Sequence, residues 1–203
     1  MIAIIDYGAG NIQSVINAVE FLGQKAVLVS NPNDLAKFNK AILPGVGAFG
    51  EAMIKLKSAN LDKAIYEFVS QNKPFLGICL GMQLLFEKSY EFGEHDGLGI
   101  LKGSIIKFDE SKFDKKLKIP HMGWNSCEFT RSTPINKGLD ESAYLYFVHS
   151  FHVVCDDEIM LSKTNYGYDF VSSVAKDNIF GFQPHPEKSH ENGLKIFKNF
   201  MEL

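Results

Sequence analysis

Apolar positions along the first eighty residues fall into two alternating rhythms. Ile2 to Ile5 is a short unbroken apolar run, the pattern of a buried strand. After the turn Asp6-Tyr7-Gly8-Ala9-Gly10, Asn11 stands where a helix cap is expected. Ile12, Val15, Ile16 and Val19 then recur at the i, i+3, i+4, i+7 spacing of one helical face. Gly23 predicts the stop of that helix, and Ala26 to Ser30 a second strand. Ala41 to Leu43 predicts a third, short strand that runs into the turn Pro44-Gly45-Val46-Gly47. A helical pattern at Leu61, Ile65, Phe68 and Val69 is closed by Pro74. Phe75 to Ile78 reads as a strand, and Leu80 onward as a helix with Leu84 and Leu85 facing inward.

Strands separated by helices imply right-handed crossovers and a largely parallel sheet. The second half changes rhythm. Segments around 98–108, 124–129, 144–155 and 169–182 are strand-like with short turns, and they predict antiparallel additions to the same sheet or a small side sheet. Residues 191–202 predict a closing helix. The expected fold is therefore α/β, with a mostly parallel central sheet flanked by helices and extended by antiparallel strands. No repeat, low-complexity tract or linker divides the chain, so one domain over residues 1–203 is expected.

Composition narrows the function classes. The chain has 203 residues, 45% of them hydrophobic, which suffices for a buried core without disulfides or metals. Its 21 basic and 24 acidic side chains give a net charge of −3, which argues against nucleic acid as the main partner. The longest uncharged apolar run, Pro74 to Phe86, is shorter than the roughly 18 residues of a membrane span and is broken by glycine. Asp6 interrupts the first apolar run, so no signal peptide is expected. Three cysteines, Cys79, Cys127 and Cys155, without a CxxC pair fit a reducing cytoplasm.

Candidate chemistry centres on Gly77-Ile78-Cys79-Leu80-Gly81, a glycine–x–nucleophile–x–glycine pattern at a strand-to-helix junction. A thiol on such a turn faces the positive end of the following helix, and the Leu80 N–H points at any oxyanion formed on the attacked carbon. The competing reading makes Cys79 a small buried hydrophobe. A thiol nucleophile needs a base, and six histidines are available. Only His185 has a carboxylate in a suggestive frame, Gln183-Pro184-His185-Pro186-Glu187. Strand alternation would put His185 and Glu187 on one face, and the two prolines predict a strand end. Together, elbow and frame favour a Cys79–His185–Glu187 triad.

The turn Gly45-Val46-Gly47-Ala48-Phe49-Gly50 formally matches a dinucleotide motif, but it follows the third strand and is preceded by proline. The alternative is a backbone N–H brought beside Cys79 as a second oxyanion donor. His121-Met122-Gly123-Trp124-Asn125 and the aromatic stretch Tyr144 to Phe151 read as core packing, or for the first as an interface. No spacing of ligand residues predicts a metal or other cofactor. The charges at Asp109, Glu110, Lys112 and Asp114 to Lys118 predict a solvated face.

These residues resemble class I glutamine amidotransferases nearly end to end, a class with a flavodoxin-like α/β fold. Gly77-Ile78-Cys79-Leu80-Gly81-Met82-Gln83 and His185-Pro186-Glu187-Lys188-Ser189 match motifs of the whole class. Asp6-Tyr7-Gly8-Ala9-Gly10-Asn11 and His121-Met122-Gly123-Trp124-Asn125 resemble the branch of glutaminase subunits that serve imidazole glycerol phosphate synthases. The resemblance implies Cys79 as nucleophile, His185 as general base and acid, and Glu187 as its orienting partner. It implies oxyanion donors at Val46, Gly47 and Leu80, and L-glutamine held by Gly47, Gln83, His149, Ser150 and Phe151. It also implies a heterodimer with a (β/α)8-barrel synthase that receives the ammonia; the His121–Asn125 segment, read above as an interface, is the expected docking surface. A paralogue feeding another synthase, for instance in surface-sugar biosynthesis, remains open. So does a catalytically silent subunit. One departure is Pro184, where such chains usually carry an aromatic or aliphatic residue; alternation predicts that it faces away from Cys79.

Overall fold

The computed structural model describes residues 1–8 and 11–203; Ala9 and Gly10, in the turn expected at Asp6–Gly10, lie outside the described residues. In chain order the first half runs β1 (Ile2–Ile5), α1 (Ile12–Phe21), β2 (Ala26–Val29), α2 (Pro32–Leu35), β3 (Ala41–Leu43), α3 (Phe49–Ser58), α4 (Leu61–Ser70) and β4 (Phe75–Ile78). There follow α5 (Leu80–Gln83), β5 (Phe86–Ser89), β6 (His95–Asp96), β7 (Leu101–Lys107), β8 (His121–Phe129) and β9 (Ser142–His149). The chain continues as β10 (Phe151–Val154), β11 (Met160–Asn165), β12 (Asp169–Lys176), β13 (Ile179–Phe182) and α6 (His190–Glu202).

One sheet carries these strands in the order β2-β1-β3-β4-β13-β12-β10-β7-β5-β6, with β11, β8 and β9 branching from β12. The pairs β2–β1, β1–β3, β3–β4 and β4–β13 are parallel, whereas β13–β12 and β12–β10 are antiparallel. Side chains of β1 alternate between two cores. Ala3 and Ile5 face the layer that contains Phe49, Leu56, Ile65 and Phe68 of α3 and α4. Ile2 and Ile4 face Val15 and Val19 of α1 and Phe197 and Phe200 of α6. Strands apolar on both faces are what a sheet covered by helices on either side requires. Each fully buried large side chain, such as Phe197, adds about 1.5–3 kcal/mol of transfer free energy.

Four local readings are corrected. Asn11 precedes α1, but its side chain makes no capping bond. Phe49 and Gly50 already belong to α3, a helix that the glycine-rich turn concealed; a Cβ on Gly50 would collide with the ring of His95, so glycine is there for packing. The α4 helix ends at Ser70, before Pro74, because Asn72 takes a left-handed conformation (φ 56°). The helix after Cys79 is a single turn, and Leu84 and Leu85 are buried beyond its end.

Candidate active site

Strand order brings three carboxyl ends together. In β3–β4 pairing Leu43 lies opposite Gly77, and in β4–β13 pairing Phe182 lies opposite Ile78. The residues that leave these strands, Pro44 to Gly47, Cys79 and Gln183 to His185, therefore emerge side by side. The Cys79 N–H donates to the Phe182 carbonyl at 2.7 Å, which ties the elbow to β13.

Cys79 itself is strained, at φ 53° and ψ −113°. A side chain in this region costs on the order of 1–3 kcal/mol, which neighbours must offset. The flanking glycines make the turn possible by closeness. A Cβ on Gly77 would lie 2.7 Å from the Gly81 carbonyl oxygen, and one on Gly81 would overlap the Leu43 carbonyl. A Cβ on Gly45 would meet Tyr7 Oη at 2.6 Å and Gly81 N at 2.8 Å. Loop, elbow and helix start thus pack backbone on backbone, leaving no room for side chains.

His185 reaches the sulfur by a route other than the expected strand alternation. β13 ends at Phe182, and His185 caps a 3₁₀ turn over Pro186–Lys188. Prolines at 184 and 186 supply no N–H to a ladder, so the strand stops and the turn begins. Inside it, His185 Nδ1 and Glu187 Oε1 stand 2.6 Å apart, both side chains buried. The turn is stitched to β9. His185 N–H donates to the Tyr146 carbonyl at 2.8 Å, Tyr146 N–H donates to Ser189 Oγ at 2.9 Å, and Ser189 Oγ donates to the His185 carbonyl at 2.6 Å.

Electrostatically, burial pushes His185 down, but the neighbouring Cys79 sulfur and the Glu187 carboxylate outweigh it and hold the imidazole up at about 10. His185 Nε2 is buried and has no hydrogen-bond partner among the described residues. Burial first, then the negative charge of Cys79, raises the Tyr7 hydroxyl above the ordinary tyrosine range; that hydroxyl is also without a partner among the described residues. Pro184 is buried and is not among the residues lining the cavity over Cys79.

That cavity has a volume of about 300 Å³. Cys79, His185, Val46, Gly47, Leu80, Gln83, His149, Ser150 and Phe151 all line it, together with Glu91, Pro120 and Val148. Glu91, on the loop after β5, carries no local sequence pattern that marks it. Its carboxylate accepts the Phe49 N–H at 2.7 Å, a contact between residues 42 apart in the chain, and only an acidic loop residue marked it. Gln83 is oriented from behind, donating to the Phe151 carbonyl at 3.1 Å and to Gln183 Oε1 at 2.9 Å.

The expected docking segment divides in two. In the β8–β9 hairpin His121 pairs with His149, and alternation along β8 turns His121 into an aromatic cluster, where it is buried and stacks on Tyr166 and Phe147. His121 therefore takes no part in an exposed face. Met122 and Trp124 point outward, and Trp124 lies parallel to the His190 ring at 5.0 Å. Among the described residues no group of three or more His, Cys, Asp or Glu side chains is arranged to hold a metal ion. No helix there is long and apolar enough to cross a membrane.

A buried thiol on a strand–helix elbow, beside an imidazole held by a carboxylate, is equipped to attack a carbonyl carbon. The fold and this arrangement are what acyl transfer at an α/β site requires. The chain's residues 3–203 match the family model "Glutamine amidotransferase class-I". It is 58% identical over 201 residues to "Imidazole glycerol phosphate synthase subunit HisH" of Sulfurimonas denitrificans, covering 98% of this chain and 97% of that one. The protein of the same name in Wolinella succinogenes is 53% identical over the full length of both chains. Among solved structures, PurLQS from Thermotoga maritima superposes with TM-score 0.78 at 21% identity, over 99% of this chain and 97% of that one. The chain belongs to the class I glutamine amidotransferases and, within them, to the HisH family of imidazole glycerol phosphate synthase subunits.

Proposed function

We propose that this chain, read as one glutaminase domain over residues 1–203, releases ammonia from L-glutamine for a synthase subunit. Cys79 Sγ attacks the side-chain amide carbon. His185 Nε2 takes the thiol proton and passes it to the departing ammonia, leaving a thioester. Water, activated by the same nitrogen, then hydrolyses the thioester to glutamate. Glu187 accepts from Nδ1–H and so keeps Nε2 free for proton transfer. The N–H groups of Leu80 and of Val46 or Gly47 stabilise both tetrahedral oxyanions, and such donors are worth about 3–4 kcal/mol each. Gln83 and the backbone of His149, Ser150 and Phe151 hold the substrate, and Glu91 receives its α-ammonium as the carboxylate in the cavity outside the triad.

In this proposal the ammonia passes to a (β/α)8-barrel synthase subunit in a cytoplasmic heterodimer, which forms imidazole glycerol phosphate and the AICAR nucleotide of histidine biosynthesis. Met122 and Trp124 form the docking face. The HisH name of full-length relatives at 50–58% identity supports that pathway. The single observation that carries the chemistry is the strained Cys79 elbow beside the buried His185–Glu187 pair. The test is ammonia release from glutamine by wild type and Cys79→Ala, each with and without the barrel subunit and its substrate. Activity that depends on the partner and vanishes in Cys79→Ala is the expected result. Equal activity in Cys79→Ala would overturn the mechanism, and no response to that partner would overturn the pathway.

A further inference from the structure

Gln183 has no part in the steps above, yet it touches the reacting sulfur. It is fully buried, at 0% exposure, in the residue after β13. Its Nε2 lies 3.7 Å from Cys79 Sγ in donor geometry, and its Oε1 accepts from Gln83 Nε2 at 2.9 Å. The two ends of the amide are distinguishable because Gln83 spends its other N–H on the Phe151 carbonyl, at 3.1 Å. The oxygen of Gln183 therefore faces Gln83 and its NH₂ group faces the sulfur. A buried carboxamide is costly unless its polar atoms are bonded, and an apolar residue of similar size would serve packing alone.

A longer chain of bonds ends on the same Phe151 carbonyl. Phe151 O also accepts His149 Nδ1–H at 2.8 Å. His149 Nε2 is then the acceptor for His121 Nδ1–H at 3.0 Å, and His121 Nε2 for Asn125 Nδ2 at 3.2 Å. Burial keeps both imidazoles neutral, so each has one donor and one acceptor nitrogen and the bonds run one way.

We propose that Gln183 is a further catalytic residue of this site: its carboxamide N–H is the donor that holds the Cys79 thiolate, kept turned toward the sulfur by Gln83, whose N–H groups go to the Phe151 carbonyl and to Gln183 Oε1. This rests on Cys79 being the nucleophile. No proton leaves Gln183; the thiol proton resides on His185 while the amide N–H donates to the sulfur anion. A charge-assisted bond of this kind stabilises the anion over the thiol, and it weakens as negative charge moves from sulfur to the carbonyl oxygen of the substrate.

Alkylation of Cys79 by iodoacetamide, followed across pH in the full chain and read by peptide mass to separate it from Cys127 and Cys155, tests this without relying on glutamine turnover. In Gln183→Leu the rate profile is expected to move to higher pH by about one unit, with an approximately tenfold slower rate near neutrality. Gln183→Glu should move it further, because a carboxylate cannot donate and repels the anion. If Gln183→Leu does not fold, as judged by circular dichroism, Gln183→Asn supplies the comparison, since its shorter amide stops short of the sulfur. Profiles that superpose on wild type in a folded variant would overturn the proposal. A wild-type Cys79 no more reactive than an ordinary thiol would instead overturn the nucleophile reading beneath it.

Discussion

Cys79 sits in a conformation that its own side chain disfavours, and the function proposed for it explains why it is tolerated. At φ 53° and ψ −113°, glycine would be unstrained. Cys79→Gly is expected to abolish glutamine hydrolysis while raising stability by about 1 kcal/mol, readable as a higher urea midpoint. His185→Asn should lower kcat by roughly 10²–10⁴, the usual contribution of a positioned acid–base group. The raised His185 value also has a consequence for stability. Because the folded value, about 10, exceeds the ordinary 6.5, the pair stabilises the fold fully below pH 6.5 and loses that contribution as pH rises toward 10. Glu187→Gln removes one of the groups that raise it, so the alkaline loss of melting temperature should set in at lower pH. Of these residues, Cys79, His185 and Glu187 were legible because flanking glycines and prolines mark unusual backbone. Glu91 and Gln183 are not, because nothing local distinguishes a carboxylate or amide that faces the cavity or the sulfur from one that faces solvent.

At the scale of elements, the site is made by the ends of β3, β4 and β13 and by glycines that let them close on one another. Gly81→Ala would drive a methyl group into the Leu43 carbonyl. A loss of at least about 3 kcal/mol is expected, with activity lost as well, checked by denaturant unfolding alongside ammonia release. The apolar runs at Ile2–Ile5, Ala41–Leu43 and Phe75–Ile78 were readable as strands because burial on both faces leaves no polar positions. The sequence conceals the start of α3 because Gly47 and Gly50 flank it and suggest a loop. The pairing of His121 with His149 was equally invisible, since it depends on hairpin register across 28 residues. Burial holds His121 down at about 4, so it stays neutral in the fold where the unfolded chain takes up a proton. Stability is therefore expected to fall as pH drops from 6.5 toward 4. His121→Gln should flatten that slope by roughly one proton, measured by unfolding across pH.

For the whole molecule, a layered sheet gathers the candidate site residues at the carboxyl ends of its interior strands and exposes Met122, Trp124 and Tyr144. Trp124, stacked on His190, has the character of an interface anchor. Trp124→Ala is expected to weaken binding of the synthase subunit by about 2 kcal/mol, some thirtyfold in Kd, with the melting temperature of the isolated chain nearly unchanged. Titration calorimetry reads the first quantity and differential scanning the second.

By itself the sequence determined the alternation of strands and helices, the elbow at Cys79, the His185–Glu187 frame and the family. These are carried by hydrophobic period and by glycines and prolines, which act within a few residues. Tertiary structure decided what is non-local. The β4–β13 register set Cys79 beside Gln183 and His185, more than a hundred residues later in the chain. The turn after β13, rather than strand alternation, joined His185 to Glu187. Hairpin register put His121 inside and Trp124 outside. Pairing between distant strands depends on the packing of the entire sheet, and no local pattern encodes it.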